Sequence, residues 1–517
     1  MNAIELSLFS SRMNAICEEM GLILQRVAFS PNIIDRLDFS CAIFDSNGEL
    51  IAQAAHIPVH LGSMAYAMSA IVSEISWQAG DMYILNDPYS GGTHLPDVTI
   101  ISPLFIEGKC CAFVANRAHH ADIGADSPGS MPIAEHLQDE GLLIKPTRLL
   151  KNDSIDVGQM QSLTQNMRNP SNSEGDFSAQ ISANRAGLQR LCELILLMRL
   201  EKFNVACHAL DGYAQQLARQ ALADIKPGTY SACDYMDDDG KGNKDIAIHV
   251  VMTVSEENLS VDFSGTSKQV SGNINCPLSV TAAAVYYVFR SLLPSYTPLC
   301  QGSFRLLEIT APVGSLLNAQ HPAAVAAGNV ETSTRVVDVL LAALADALPD
   351  RIPAASHGSM NNLAMGSNDV GQRWDYYETI GGGMGASPKI DGLSAIQTHM
   401  TNTLNTPIEV IESNYPLRVQ RYAIRSGSGG EGYHRGGEGI IREFKFLSAA
   451  TVTLLTERRY HSPPGMKQGG DGKAGINQLN DQLLPPKISI DVKAGDVLSI
   501  QTPGGGGWGK SKLKSIQ

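Results

Sequence analysis

The sequence predicts a mixed α+β protein, built in several layers of helices and antiparallel sheet, with a glycine-rich C-terminal part. Three observations predict it. Apolar residues recur at helical spacing in several separate stretches. Strand-like runs flank turn signals at hairpin spacing. Beyond residue 355 glycine crowds the chain while strand-like runs still interrupt it.

Each element follows from its own residues. Ile16, Met20, Ile23, Leu24 and Val27 mark one helix, which Ser30-Pro31 stops. Phe39–Phe44 and Leu50–Ala54 flank Ser46-Asn47-Gly48, a strong hairpin signal. A second hairpin spans 98–116 about Glu107-Gly108-Lys109, and Pro103 weakens its first strand or marks it as an edge. The pattern is helical from 174 to 223 and breaks at Lys226-Pro227-Gly228. Strand-like runs follow at 245–254 and 259–265, then an apolar helix at 279–293 and another at 331–347. Glycine at the density of Gly381-Gly382-Gly383 or Gly504–Gly507, set among strands, means tight turns and close backbone approaches. These breaks suggest three units: 1–225 carrying the candidate site, a middle α/β unit at 226–350, and a β-rich, glycine-rich unit at 351–517.

Composition bounds the function. A chain of 517 residues, 43% apolar and 18% charged, supports several packed cores and excludes global disorder. A formal charge of −13 and the lack of any basic arm exclude nucleic acid as the main partner. No apolar run reaches the roughly 18 residues of a membrane helix, and Glu5 lies where a secretory leader would be basic. The nine cysteines are odd in number and form no CxxC pair, which reads as reduced thiols in a cytoplasm. Gly504, Gly509, Lys510 and Ser511 satisfy the pattern of a phosphate-binding loop. With six residues after Ser511 the crossover helix that such a loop needs has no room, so the match reads as a decoy.

The densest set of ligand-type side chains lies between residues 86 and 126. His94 and Asp97 precede one strand of the second hairpin, and His119 and His120 follow the other, so both groups emerge at its open end. Imidazole and carboxylate converging in this way suit Zn²⁺, Mn²⁺ or Fe²⁺. Asp38 joins by the geometry of the first hairpin, while His56 and His60 read as pocket-lining or structural. His120 would point away from His119 and stands as an acid/base candidate with Asp122. Asp35, Asp87 and Asp126 fit loop structure as well as ligation. His357, Glu378 and His399 could line a cleft, and Arg418, Arg421 and Arg425 could meet a carboxylate.

These segments also resemble a known family. Residues 30–64, NDPYSGGTHLPDVTIISPLF, NRAHHADIG, HGSMNNLAMG, YYETIGGGMGA, HMTNTLNTPIEVIE, SGGEGYHRGGEGIIREF and TPGGGGWG resemble, in order, the signatures of the hydantoinase B/oxoprolinase family. The resemblance implies a division of labour: a hydantoinase A-type partner holds ATP and Mg and phosphorylates a carbonyl, and the B-type subunit holds a divalent transition metal. It implies a small cyclic amide substrate (hydantoin, 5-oxoproline or another lactam), an A2B2-type hetero-oligomer, and a metal set of His94, Asp97 and His119. Asp38 is the implied fourth ligand, with Asp35 as its rival. The alternatives are a subunit of an ATP-dependent ketone carboxylase, or a scaffold without chemistry of its own for the ATPase.

Overall fold

Asn2 opens the first helix: its side chain accepts from the Glu5 N–H, and the Glu5 carboxylate accepts from the Asn2 N–H. The helix, α1 (Ala3–Val27), buries Phe9, Met13, Ile16, Cys17, Met20 and Leu24 along one stripe. A single turn, α2 (Pro31–Ile34), then leads into the sheet. The computed structural model describes residues 1–55, 57–369 and 373–511, so His56 lies outside the described residues.

The first sheet has seven antiparallel strands: β1 (Phe39–Asp45), β2 (Leu50–Ala55), β3 (Met82–Leu85), β4 (Asp97–Ile106), β5 (Lys109–His119), β6 (Thr147–Lys151) and β7 (Ser154–Ile155). Their order is β2-β1-β5-β4-β3-β6-β7. Both sequence-predicted hairpins are present, as β1–β2 and β4–β5. Pro103 sits within the sheet, opposite Phe113 of β5. The other neighbour, β3, pairs only with Thr99–Ile101, so the missing proline N–H falls beyond the end of that ladder. Side chains alternate across the sheet. Phe39, Cys41 and Ile43 pack with α1, while Ala42 and Phe44 pack with α3 (Ser63–Ile71) on the opposite face.

The helical pattern at 174–223 is two helices with α4 (Val157–Thr164) before them: α5 (Pro170–Met198) and α6 (Leu200–Ala223). They part at Arg199, whose φ of 72° cannot continue a right-handed helix. In the middle of the chain, β8 (Gly228–Asp238), β9 (Lys244–Val254), β10 (Leu259–Asp262) and β11 (Leu307–Thr310) form a sheet in the order β11-β10-β9-β8. It packs on α7 (Leu278–Leu292) and α8 (Ser333–Leu344) through Ile248, Val250, Val261, Val285, Val336 and Leu340. A π-helical turn, Gly328–Thr332, precedes α8. The sequence reading missed β8 because Asp234 interrupts the inward-facing row of Tyr230, Ala232 and Met236, which is only half-buried over most of its length.

Beyond residue 355 two antiparallel sheets face each other. One comprises Asn362–Ser367, Trp374–Glu378, Ala450–Leu455 and Lys487–Val492. The other comprises Leu417–Arg425, Gly439–Phe446, Ile476–Leu479, Gln482–Leu484 and Val497–Gln501. Leu363, Met365, Phe444, Phe446, Val452 and Leu498 fill the space between them. At their ends the glycine segments lie backbone against backbone. A Cβ at Gly383 would stand 1.9 Å from the Gly437 carbonyl oxygen, and one at Gly436 1.9 Å from that of Gly505.

This packing also settles the decoy loop. The amides of Gly504, Gly505, Gly506 and Gly507 donate to the carbonyls of Lys473, Gly437, Ala355 and Gly470, and those of Trp508 and Gly509 to His434 and Met466. The amides from Gly504 to Gly509 are thus bonded within the chain rather than turned toward a phosphate. Among the described residues no helix is long and apolar enough to cross a membrane.

Candidate functional site

The β4–β5 register places Asp97 directly opposite His119, so the two emerge together at the open end of the hairpin. The loop before β4 supplies His94. Asn86 pins that loop by donating to the Leu95 and Leu142 carbonyls and accepting from the Ile144 N–H. Asp87 turns it by accepting from the Tyr89 N–H, and Gly92 passes so close to the Asp87 carbonyl that a Cβ would stand 2.6 Å from it. Asp87 is therefore a loop-building residue. Asp38 arrives from the adjacent strand, because its carbonyl accepts the His119 N–H and Phe39 pairs with Ala118.

Asp97 is the centre of the cluster and is 1% exposed. Its Oδ2 lies 3.3 Å from His94 Nε2, and its Oδ1 lies 3.5 Å from His60 Nε2. Thr93 donates its hydroxyl to Oδ2, and Asn329, carried in by the π-turn, approaches the same oxygen at 3.4 Å. The His119 ring is 5.0 Å from the His94 ring and stacks on Tyr377 at 4.9 Å. Arg36 donates to Asn32 Oδ1 and so turns the Asn32 amide nitrogen toward His119 Nδ1, 3.2 Å away. Arg36 also lies 3.8 Å from Asp38.

The electrostatics follow from burial and neighbours. Burial alone would raise the Asp97 carboxyl, but His94 and His60 outweigh it and hold it well below the usual carboxylate range. Burial pushes Asp38 up, against the pull of Arg36. Burial, then His94, drives the His119 imidazole well below its ordinary value.

Taken as the side chains stand, no group of three or more His, Cys, Asp or Glu among the described residues closes on one point to hold a metal ion. The donor set nevertheless fits one. Both His94 nitrogens, His60 Nε2, His119 Nε2 and Asp97 Oδ1 are buried without a hydrogen-bond partner. Folded proteins rarely leave so many such atoms together. Two ligand atoms about 2.1 Å from one ion stand roughly 3.0–3.4 Å apart at octahedral or tetrahedral angles, close to the separations around Asp97.

The other candidates are distributed as follows. Asp35 ends α2, partly buried on the side of Tyr415, whereas Asp38 is the carboxylate at the cluster. His60 belongs to the cluster more closely than a pocket-lining residue would. Its turn starts at Pro58, and its Nδ1 lies 3.0 Å from Ser40 Oγ. His120 and Asp122 face a separate cavity: His120 packs on Phe177 of α5, and Asp122 accepts from the Gly124 and Arg168 N–H groups. Asp126 uses its backbone carbonyl to hold Arg168. Glu378 pairs with Arg442 at 3.4 Å, and His399 lies 3.5 Å from Asp338. His357 is buried, Arg418 and Arg421 are exposed, and Arg425 donates to the Ala474 and Thr502 carbonyls. Sequence reasoning missed Asn32, Arg36, Asn329 and Tyr377. Folding brings Asn329 and Tyr377 in from distant segments, whereas Asn32 and Arg36 lie just ahead of Asp38 in the chain.

The fold that carries this cluster is shared with a solved structure. It superposes on the ATP-dependent caprolactamase of Pseudomonas jessenii with a TM-score of 0.92 and 25% identity, covering 99% of this chain and 91% of that one. The hydantoinase B/oxoprolinase family model matches residues 2–511, and the chain belongs to that family. It is 40% identical to an uncharacterized protein of Methanocaldococcus jannaschii, over 100% of this chain and 92% of that protein. It is 39% identical to the 5-oxoprolinase of Dictyostelium discoideum, over 99% of this chain but 40% of that enzyme. The chain thus spans about two-fifths of the 5-oxoprolinase it matches.

Proposed function

We propose that this chain is the amide-hydrolysing subunit of an ATP-dependent, hydantoinase/oxoprolinase-type enzyme that opens a small cyclic amide ring. The observation that carries the reading is the buried His94–Asp97–His119 cluster with its unpartnered atoms, in a chain of this family. Two further facts support it. The structural relative is described as an ATP-dependent caprolactamase, and the amides of the Gly504–Gly507 loop are all taken up within the chain. ATP and Mg therefore belong to a partner, a hydantoinase A-type ATPase subunit, in an A2B2-type assembly. The 5-oxoprolinase relative has length to spare for a second part. The nine cysteines are all unpaired, in keeping with a cytoplasmic enzyme.

In this reading His94, Asp97, His119 and Asp38 hold a divalent transition metal, Mn, Zn or Fe. When bound, such an ion polarises an oxygen and acidifies water, which supplies a nucleophile near neutral pH. The chain's own residues prepare for that. His94 and His60 keep Asp97 ionised, and Arg36 counters the cost of burying Asp38. The Asn32 amide, held at its oxygen by Arg36, faces His119 Nδ1 and fixes the orientation of the ring. A lactam carbonyl is a weak electrophile, and its phosphorylation by the partner converts that oxygen into a leaving group.

Reconstitution tests the proposal. The chain mixed with a hydantoinase A-type ATPase should release ADP and open a lactam or hydantoin ring, each component alone being inert. Robust ATP-independent ring opening by this chain alone would overturn the division of labour.

A further inference from the structure

Asp97 and His119 are cross-strand partners at the open end of a hairpin. A strand end fixes where each side chain starts but leaves its torsions free, so a site built there needs residues that lock it from outside. Two residues from other segments do so. Asn329 approaches Asp97 Oδ2 at 3.4 Å, and the Tyr377 ring lies on the His119 ring with 4.9 Å between centroids and 1° between planes.

These two residues are also joined to one another. The Tyr377 hydroxyl donates to Asn362 Oδ1 at 2.6 Å, and Asn362 Nδ2 donates to Glu331 Oε1 at 2.6 Å. Glu331 stands two residues after Asn329 on the same π-helical turn. The path is therefore closed: Asp97, Asn329, Glu331, Asn362, Tyr377, His119, and back across the hairpin to Asp97. All six residues are buried.

Hydrogen bonding fixes the direction of each link. Asn362 Nδ2 has two acceptors, Glu331 Oε1 and the Leu455 carbonyl, so Oδ1 is the atom that faces Tyr377. The Tyr377 hydroxyl donates to it, which tethers the ring at the end far from its backbone. Glu331 Oε1 accepts the Met360 N–H as well, and so grips the segment that carries Asn362 at two points. Burying a carboxyl here costs free energy that an apolar residue of like size would not incur. Single π-turns are rare and gather at functional sites.

We propose that Glu331 is a positioning residue for the His94–Asp97–His119 cluster: through Asn362 and the Tyr377 hydroxyl it sets the plane of the His119 ring beside the Asp97 carboxylate. That ring opening takes place at this cluster rests on the function proposed above. The setting of the His119 plane does not. Burial, then the nearby Glu457, pushes the Glu331 carboxyl up to about 8, so near pH 7 glutamine copies its shape, its neutrality and its acceptor oxygen.

The test uses the full, metal-free chain with isotope-labelled histidine rings, followed by magnetic resonance. The ring current of Tyr377 displaces the His119 signal, and His119→Gln identifies that signal by its absence. Tyr377→Leu, which removes the aromatic ring, marks the undisplaced position. Tyr377→Phe keeps the ring and loses only the tether. Arg36 also lies over the Tyr377 ring, 4.8 Å from its centroid, so a cut tether loosens the ring rather than freeing it. Tyr377→Phe and Glu331→Leu should each lose at least half of the displacement, and Glu331→Gln should keep it. The signal of the exposed His208 on α6 should stay in place throughout. Full displacement in Tyr377→Phe or in a folded Glu331→Leu would overturn the proposal, as would equal losses in Glu331→Gln and Glu331→Leu. If Glu331→Leu does not fold, Tyr377→Phe decides alone. Because no metal, partner or turnover enters the measurement, failure here is separable from failure of the reconstitution.

Discussion

Asp97 has two carboxylate oxygens, and each faces a different imidazole, His94 at Oδ2 and His60 at Oδ1. That is why it stays ionised although it is buried. Removing the carboxylate should leave His94, His119 and Asp38 without the group that gathers them. Asp97→Asn, which keeps the shape, should lower metal content measured by elemental analysis at least tenfold. It should lower ring opening by the reconstituted enzyme at least 100-fold, on the order of what ligand loss costs such sites. Full metal occupancy in a folded Asp97→Asn variant would sink the assignment. At this scale the sequence was informative where hairpin register did the placing: His94, Asp97, His119 and Asp38 all lie beside strand ends. It was silent on Asn329 and Tyr377, which arrive from more than 200 residues away, as no spacing rule reports.

At the scale of elements, the turn Leu137–Glu140 holds the segment that leads to Asn329. Glu140 is fully buried and accepts the N–H groups of Val325 and Ala326, just ahead of the π-turn. Burial, against those two donors, pushes its carboxyl up to about 8. The folded state thus keeps a proton that the unfolded chain gives up near pH 4.3. The sign follows. This group favours folding most below about pH 4.3, loses ground as pH rises to about 8, and is flat above that. Glu140→Gln keeps an acceptor oxygen and does not titrate. Thermal midpoints at pH 5.5, 7 and 8.5 should fall less steeply in the variant than in the wild type, and parallel curves would refute the buried proton. Elements with strong local signals, the two hairpins and α1, α7 and α8, were legible. The break at Arg199 and strand β8 were not, because a positive φ and a polar strand are imposed by packing rather than by local preference.

For the molecule as a whole, the middle sheet and the C-terminal sandwich are joined by charge as well as by apolar contact. Asp234 of β8 and Asp338 of α8 meet Arg458 at 2.6 and 2.8 Å. Arg335 of α8 and Lys487 meet Glu457 at 3.2 and 2.5 Å. Burial works against the Lys487 ammonium, but Glu457 and Asp238 outweigh it and raise its value. Lys487→Met would leave Glu457 with Arg335 as its remaining cation and take the ammonium from Asp238, at a cost at the low end of about 3–5 kcal/mol of stability. Adding Glu457→Gln should recover most of that loss in denaturant titrations, and a double variant no better than the single one would show that the pair is not coupled.

The glycine segments at the end of the sandwich bear on how this gene can change. Gly383, Gly436 and Gly505 are packed against carbonyls at distances that no carbon atom attached to Cα can share. Every amino acid that a point mutation can put in place of glycine brings such an atom. At these codons the first two bases are therefore frozen while the third is free to drift. The part of the chain with the simplest composition, which would pass on composition for a tolerant linker, is the part with the least latitude for inheritance.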